Sequence, residues 1–147
     1  MNVDPAIQTF IEESEEILSS IEHLLASSTS MPLIGKQQEE MLRMLHTIKG
    51  SAGIFGFKNV VNFSHSLEQI FVDSHDLSIE KSLLFHDHLK ALISAEVIEP
   101  EGERLILLTE KSKQLIPELR HEVKSKDSVL ENADHSLKDW QIDVKFE

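Results

Sequence analysis

No cysteine occurs among the 147 residues, which removes disulfides, thiolate metal sites and cysteine nucleophiles together and agrees with a reducing compartment. Any chemistry must therefore use His, Asp, Glu, Lys or Ser. No apolar run approaches the roughly 18 to 20 residues that a membrane span requires, and Met1 to Gln8 lacks the basic start of a secretory signal. A cytosolic location is expected. Positive charge is scarce, with 14 Lys and Arg against 26 Asp and Glu for a formal net charge of −12. Such a chain is repelled by a phosphate backbone or an anionic bilayer, so neither nucleic acid nor membrane is an expected partner. Prolines, glycines and aromatics are few, while Leu, Ile, Glu, Lys and Ser abound, a balance that favours helices. The length fits one domain plus a modest remainder.

Periodicity divides the chain into five helices. Asp4 can cap a first helix with Pro5 in its opening turn, and Ile7, Phe10, Ile11, Leu18, Ile21, Leu24 and Leu25 form its apolar stripe. Glu12, Glu13, Glu15, Glu16 and Glu22 occupy the other face, which reads as a solvated surface rather than a cation site. After a loop over Ser27 to Gly35, a second helix is expected from about Lys36 to Phe55, with Met41, Leu45, Ile48, Ala52 and Phe55 buried. Gly56 ends it by taking the left-handed conformation, and Phe57 packs back on the last turn. A third helix, about Lys58 to Ser74, follows at once, making an antiparallel hairpin. A fourth is expected from Ser78 to about Val97, and a fifth from Pro100, kinked or split at Pro117. The fold class expected is all-α, an antiparallel four-helix bundle with an additional C-terminal helix. The domain is expected to cover 1–123. The polar Lys124 to Ser128 reads as the start of a linker, and the alternating Trp140, Ile142, Val144 and Phe146 read as a strand that would begin a further domain of a larger protein, so that 124–147 lies outside the bundle.

The chemistry concentrates in Leu45-His46-Thr47-Ile48-Lys49-Gly50-Ser51-Ala52-Gly53-Ile54-Phe55-Gly56-Phe57. Gly50 and Gly53 sit inside a helix, where each costs about 1 kcal/mol relative to Ala, so close approach by another macromolecule is the expected reason for them. His46, Lys49, Gly50 and Gly53 share one side of that helix by their spacing. A hairpin turn centred near Gly56 and Phe57 places residues whose numbers sum to about 113 or 114 opposite each other, so His46 faces Leu67 and Glu68. A carboxylate holding one imidazole nitrogen leaves the other free to attack phosphorus, which makes Glu68 the candidate orienting group. His65, one turn earlier, lies beside the same site and can contribute a hydrogen bond or adjust its electrostatics.

His46-Thr47-Ile48-Lys49-Gly50 resembles the phosphorylation motif of histidine phosphotransfer domains. With its extension through Phe57, and with His65 and Glu68 following, it is similar to the N-terminal phosphotransfer domain of bacterial chemotaxis-type histidine kinases. The resemblance covers about residues 4 to 121 and is strongest from Leu45 to Glu68. It implies that His46 accepts a phosphoryl group on Nε2, that Glu68 orients the ring through Nδ1, and that Lys49 lies near the phosphate. His65 matches a family position too. Ser51 stands where the family often has a second glycine, and Pro117 is unusual in the last helix. The implied partners are a histidine kinase catalytic domain, which brings the ATP, and a response regulator receiver domain, which brings the Mg²⁺ and the acceptor aspartate.

The chain itself shows no P-loop or glycine-rich nucleotide loop, so a phosphocarrier without its own cofactor is expected rather than a complete kinase, and a monomer rather than an oligomer. A free-standing phosphorelay protein, a binding-only helical module and a metal-binding bundle are the competing readings. Against the last, His86 and His88 are two residues apart and aim to different sides of a helix.

Overall fold

The computed structural model describes residues 4–27, 35–73 and 79–133, with the backbone alone described for 79 and 121–133. Five helices make up the described chain: α1 (Pro5–Ser27), α2 (Lys36–Ile54), α3 (Lys58–Asp73), α4 (Ile79–Ile98) and α5 (Glu103–Ala133). Helix α1 packs on α2, α2 on α3, α3 on α4 and α4 back on α1, which closes a four-helix ring, and α5 lies in the groove between α3 and α4. Cross-helix pairs give the directions. On α3 and α4, Asn59 meets Glu96 and Phe71 meets Phe85, so numbers rise on one helix as they fall on the other. His88 with Ser112 and Lys81 with Glu118 say the same of α4 and α5. The antiparallel bundle with one extra helix is the fold expected from periodicity.

The local signals act as their chemistry dictates. Asp4 Oδ1 accepts the Ala6 N–H at 2.7 Å, supplying the N-terminal cap of α1 ahead of Pro5. At the end of α2, Gly56 has φ +73°, the Phe57 N–H reaches Ala52 O at 3.0 Å and the Gly56 N–H reaches Gly53 O at 3.2 Å. This paired arrangement satisfies carbonyls that a helix end leaves open and turns the chain directly into α3. Phe57 stacks on Phe55 with ring centres 5.7 Å apart, and both rings contact Phe10 of α1. The turn that sets the α2–α3 register is thereby clamped to the bundle.

The core is assembled from the stripes: Phe10, Leu18, Ile21 and Leu25 from α1, Met41, Leu45, Ile48 and Ala52 from α2, with Phe63, Leu67, Phe71, Phe85, Leu89 and Leu92 from the next two helices. Phe55, expected buried in α2, is only half-buried and forms its C-terminal cap. Three expectations near α5 are corrected. Pro100 does not open the helix but occupies the second position of a tight turn closed by the Gly102 N–H on Glu99 O at 2.9 Å, and the helix begins at Glu103. Pro117 does not split α5, which is a single element across it. The proline ring is exposed, while Leu115 and Leu119 on either side are buried, so packing carries the helix over one missing donor. The polar run Lys124 to Ser128, read as a linker, falls within α5. No glycine or proline interrupts the chain between Pro117 and Ala133, and its Lys, Glu and Leu are good helix formers. The strand-like Trp140 to Phe146 lies outside the described residues.

Candidate functional site

His46 sits mid-way along α2 on its outer face, with 69 % of its side chain exposed. The tight turn at Gly56 delivers Glu68 of α3 opposite it, as the register requires. Glu68 is only 13 % exposed, and its Oε2 lies 3.1 Å from His46 Nδ1. A carboxylate accepts and cannot donate, so Nδ1 carries the proton, and in the neutral ring Nε2 keeps its lone pair. The second oxygen, Oε1, is shielded from solvent and faces the Lys49 ammonium at 2.6 Å. Glu68 thus links the imidazole and the ammonium from a position they both cover, which fixes the ring's tautomer and orientation.

The structure brings together all four residues singled out from the sequence, though in unequal roles. His46, Lys49 and Glu68 form direct contacts. His65 stands 3.9 Å from Glu68 Oε1 through its Nδ1, beyond hydrogen-bond range, and is largely exposed, so it lies beside the site without bonding to it. Lys49 leans across to α3 instead of standing free beside His46. Gly50 and Gly53 are exposed. A Cβ built at Gly50 meets nothing within 4 Å, and one at Gly53 only Val61 Cγ2 at 3.9 Å. Neither glycine is needed for packing inside the domain, so their helix cost is unrepaid unless something outside approaches.

The Hpt domain family matches residues 6–97, more than half of the chain and the whole His46–Glu68 unit. The chain belongs to the Hpt domain family. Among curated proteins, this Hpt chain is 24 % identical over 150 aligned positions to the Chemotaxis protein CheA of Bacillus subtilis, covering 97 % of the chain and 22 % of that protein. To the Chemotaxis protein CheA of Salmonella typhimurium it is 28 % identical over 134 positions, covering 83 % of the chain and 20 % of the relative. A shorter match to the protein of the same name from Klebsiella aerogenes is 35 % identical over 71 positions, 48 % of the chain and 11 % of the relative. The Hpt chain spans about a fifth of the length of the first two of these relatives.

Around the Hpt site the sequence reading missed a second set of polar side chains that hold the helices in place. Glu96, buried on α4, accepts the backbone N–H of Asn59 at 3.1 Å and the Asn59 amide at 2.8 Å on Oε2, and the Val60 N–H at 2.9 Å on Oε1. It caps the first turn of α3 from another helix, favoured further by the positive end of the helix dipole. The signal was a carboxylate one step along the Leu89, Leu92, Ile93 stripe, where an apolar residue belongs. His86 and His88 point to different helices, as their spacing requires. His86 Nε2 donates to Leu18 O of α1 at 2.9 Å, and His88 Nε2 meets Ser112 Oγ of α5 at 2.7 Å. Burial first, and the Lys111 charge second, hold the His88 pKa below its ordinary value. Gln38 donates to Phe71 O at 2.8 Å, closing the far end of the α2–α3 hairpin. No group of three or more His, Asp or Glu suited to a metal ion occurs among the described residues, and no helix there is long and apolar enough to cross a membrane.

Proposed function

We propose that this domain is a cytosolic phosphocarrier of a chemotaxis-type signalling system, taking a phosphoryl group on His46 Nε2 from a histidine kinase catalytic domain and passing it to an aspartate of a response regulator receiver domain. The observation that carries the reading is the exposed imidazole whose Nδ1 is held by Glu68, itself neutralised by Lys49. ATP belongs to the kinase domain and Mg²⁺ to the receiver. In loading, the Nε2 lone pair attacks the γ-phosphorus, the bond to the bridging oxygen breaks, and its electron pair leaves with ADP. The Nδ1–H stays with Glu68, which stabilises the positive charge that the ring gains. In unloading, a carboxylate oxygen attacks phosphorus as the P–Nε2 bond breaks, and the pair returns to the imidazole. Both steps require an approach nearly in line with Nε2, which the exposed face of α2 permits.

The sequence resemblance, the family match and the kinship with CheA proteins support the same reading. Residues 1–123 are the phosphotransfer unit in this proposal, with 124–147 leading from it. The test is phosphate incorporation from ATP with and without a chemotaxis-type kinase catalytic domain, beside a His46→Gln protein. Acid-labile, alkali-stable label that depends on the kinase and is absent from the variant is expected. Label retained by the variant would assign the acceptor elsewhere, and no label with several active kinase domains would make the fold a binding module.

A further inference from the structure

The net charge of −12 is not spread evenly. The stretch from Lys36 to Asp73, which holds α2, the turn and α3, carries four cations (Lys36, Arg43, Lys49, Lys58) and four carboxylates (Glu39, Glu40, Glu68, Asp73). It is neutral, and the whole excess of negative charge lies on the rest of the chain. Within the stretch, Glu68 is paired with Lys49 at 2.6 Å and Glu40 with Arg43 at 3.5 Å. An acidic partner therefore meets repulsion from most directions and little over the hairpin, because charges more than about 8 Å away are largely screened at physiological salt.

The same hairpin carries an apolar side chain that the bundle does not use. Ile54 is 81 % exposed, above every other exposed large hydrophobic residue among those described. His46, Gly50 and Ile54 are successive steps of four residues on α2, so Ile54 stands about 12 Å along the helix axis and roughly 80° around it from His46, on the oblique row that runs through Gly50. Gly50 between them offers only backbone. A surface laid along this row touches the reactive ring at one end and a full aliphatic side chain at the other.

We infer that Ile54 is the apolar anchor on which the acidic receiver domain seats, with its acceptor carboxylate brought to His46, and that this contact helps determine which receivers are served. The inference rests on the phosphocarrier reading for the identity of the partner. Charge selects this occupant: a receiver must bring a cluster of carboxylates, the acceptor and the ligands of its Mg²⁺, up to a protein of the same sign. The neutral hairpin is where that can be done, and burying Ile54 supplies affinity that charge does not.

The test titrates the unphosphorylated protein with a Mg²⁺-loaded, single-domain chemotaxis receiver in a calorimeter. Ile54→Ala is expected to raise the dissociation constant about tenfold, in the range for losing an interfacial anchor. Ile106→Ala, an equally simple truncation of an isoleucine 60 % exposed on α5, is expected to leave it unchanged. Circular dichroism of both variants checks the fold. Equal weakening by the two variants, no weakening by Ile54→Ala, or no binding by the unsubstituted protein would overturn the anchor. So would a loss of kinase-dependent labelling in Ile54→Ala with receiver affinity intact, which would give the surface to the kinase. Labelling of His46 reads the phosphocarrier proposal separately: receiver binding through Ile54 in a protein that takes no phosphate would sink that proposal and leave the anchor standing.

Discussion

Replacing Gly50 by alanine should make the protein more stable and a worse phosphocarrier at once. The position is exposed in the interior of α2, and a Cβ there meets nothing within 4 Å. Alanine loses less backbone entropy on folding than glycine, which in a helix interior amounts to about 0.5 to 1 kcal/mol. For a domain of this size that raises the thermal midpoint by roughly 2 to 6 °C. The added methyl, however, stands one turn from His46 on the surface a partner must cover. Displacing a docked partner by about 1 Å from in-line geometry costs on the order of a hundredfold in rate. Thermal unfolding followed by circular dichroism reads the first effect, and single-turnover transfer from labelled domain to receiver reads the second. A lowered midpoint would mean that the space above Gly50 is not open. A raised midpoint with transfer at the original rate would mean that no partner comes into contact there, and the glycine would need another explanation.

Glu68→Gln removes the ion pair with Lys49 and weakens the hold on His46 Nδ1, so phosphoryl acceptance should slow about tenfold, equivalent to about 1.4 kcal/mol in the barrier. Unchanged rates in the labelling assay would exclude Glu68 as the orienting group. Glu96→Ala strips the acceptor from three N–H groups at the start of α3 and should destabilise the domain by about 3 kcal/mol in urea unfolding. A loss below about 1 kcal/mol would show that water replaces the cap. The lowered pKa of buried His88 makes stability pH-dependent: the unfolded chain takes up a proton as pH falls through 6.5 while the folded domain resists. That contribution is complete above 6.5 and is lost below it, down to the folded pKa. The urea midpoint of His88→Gln should therefore fall less than that of the unsubstituted domain between pH 7.5 and 5, and parallel slopes would refute the assignment.

The residues that could be read without coordinates are those whose effects are local or follow from a short connection. Asp4 and Pro5 at the start of α1, the apolar stripes, and Gly56 followed by Phe57 act within a turn or two of their own position. The register of α2 against α3 belongs to the same class, because a turn from Phe55 to Phe57 leaves little freedom, and it was enough to set Glu68 opposite His46. Helix-breaking signals carried less far. Pro117 and the polar run after it speak only of local preference, and burial of Leu115 and Leu119 outweighed the first while the absence of any glycine or proline left the second helical.

What the tertiary structure alone decided lies across long separations in the chain. Glu96 reaches Asn59, His86 reaches Leu18 and His88 reaches Ser112 only once the rotation of each helix about its own axis is fixed, and that rotation is set by the packing of the whole core rather than by any segment of it. The same packing turned Lys49 onto Glu68, left His65 just short of it, and left Ile54 uncovered. Sequence therefore determined which residues form the helices and which histidine stands in the motif, since both follow from period and spacing. The bundle decided which polar groups the core must satisfy and which face remains open, since those depend on what every other helix already covers.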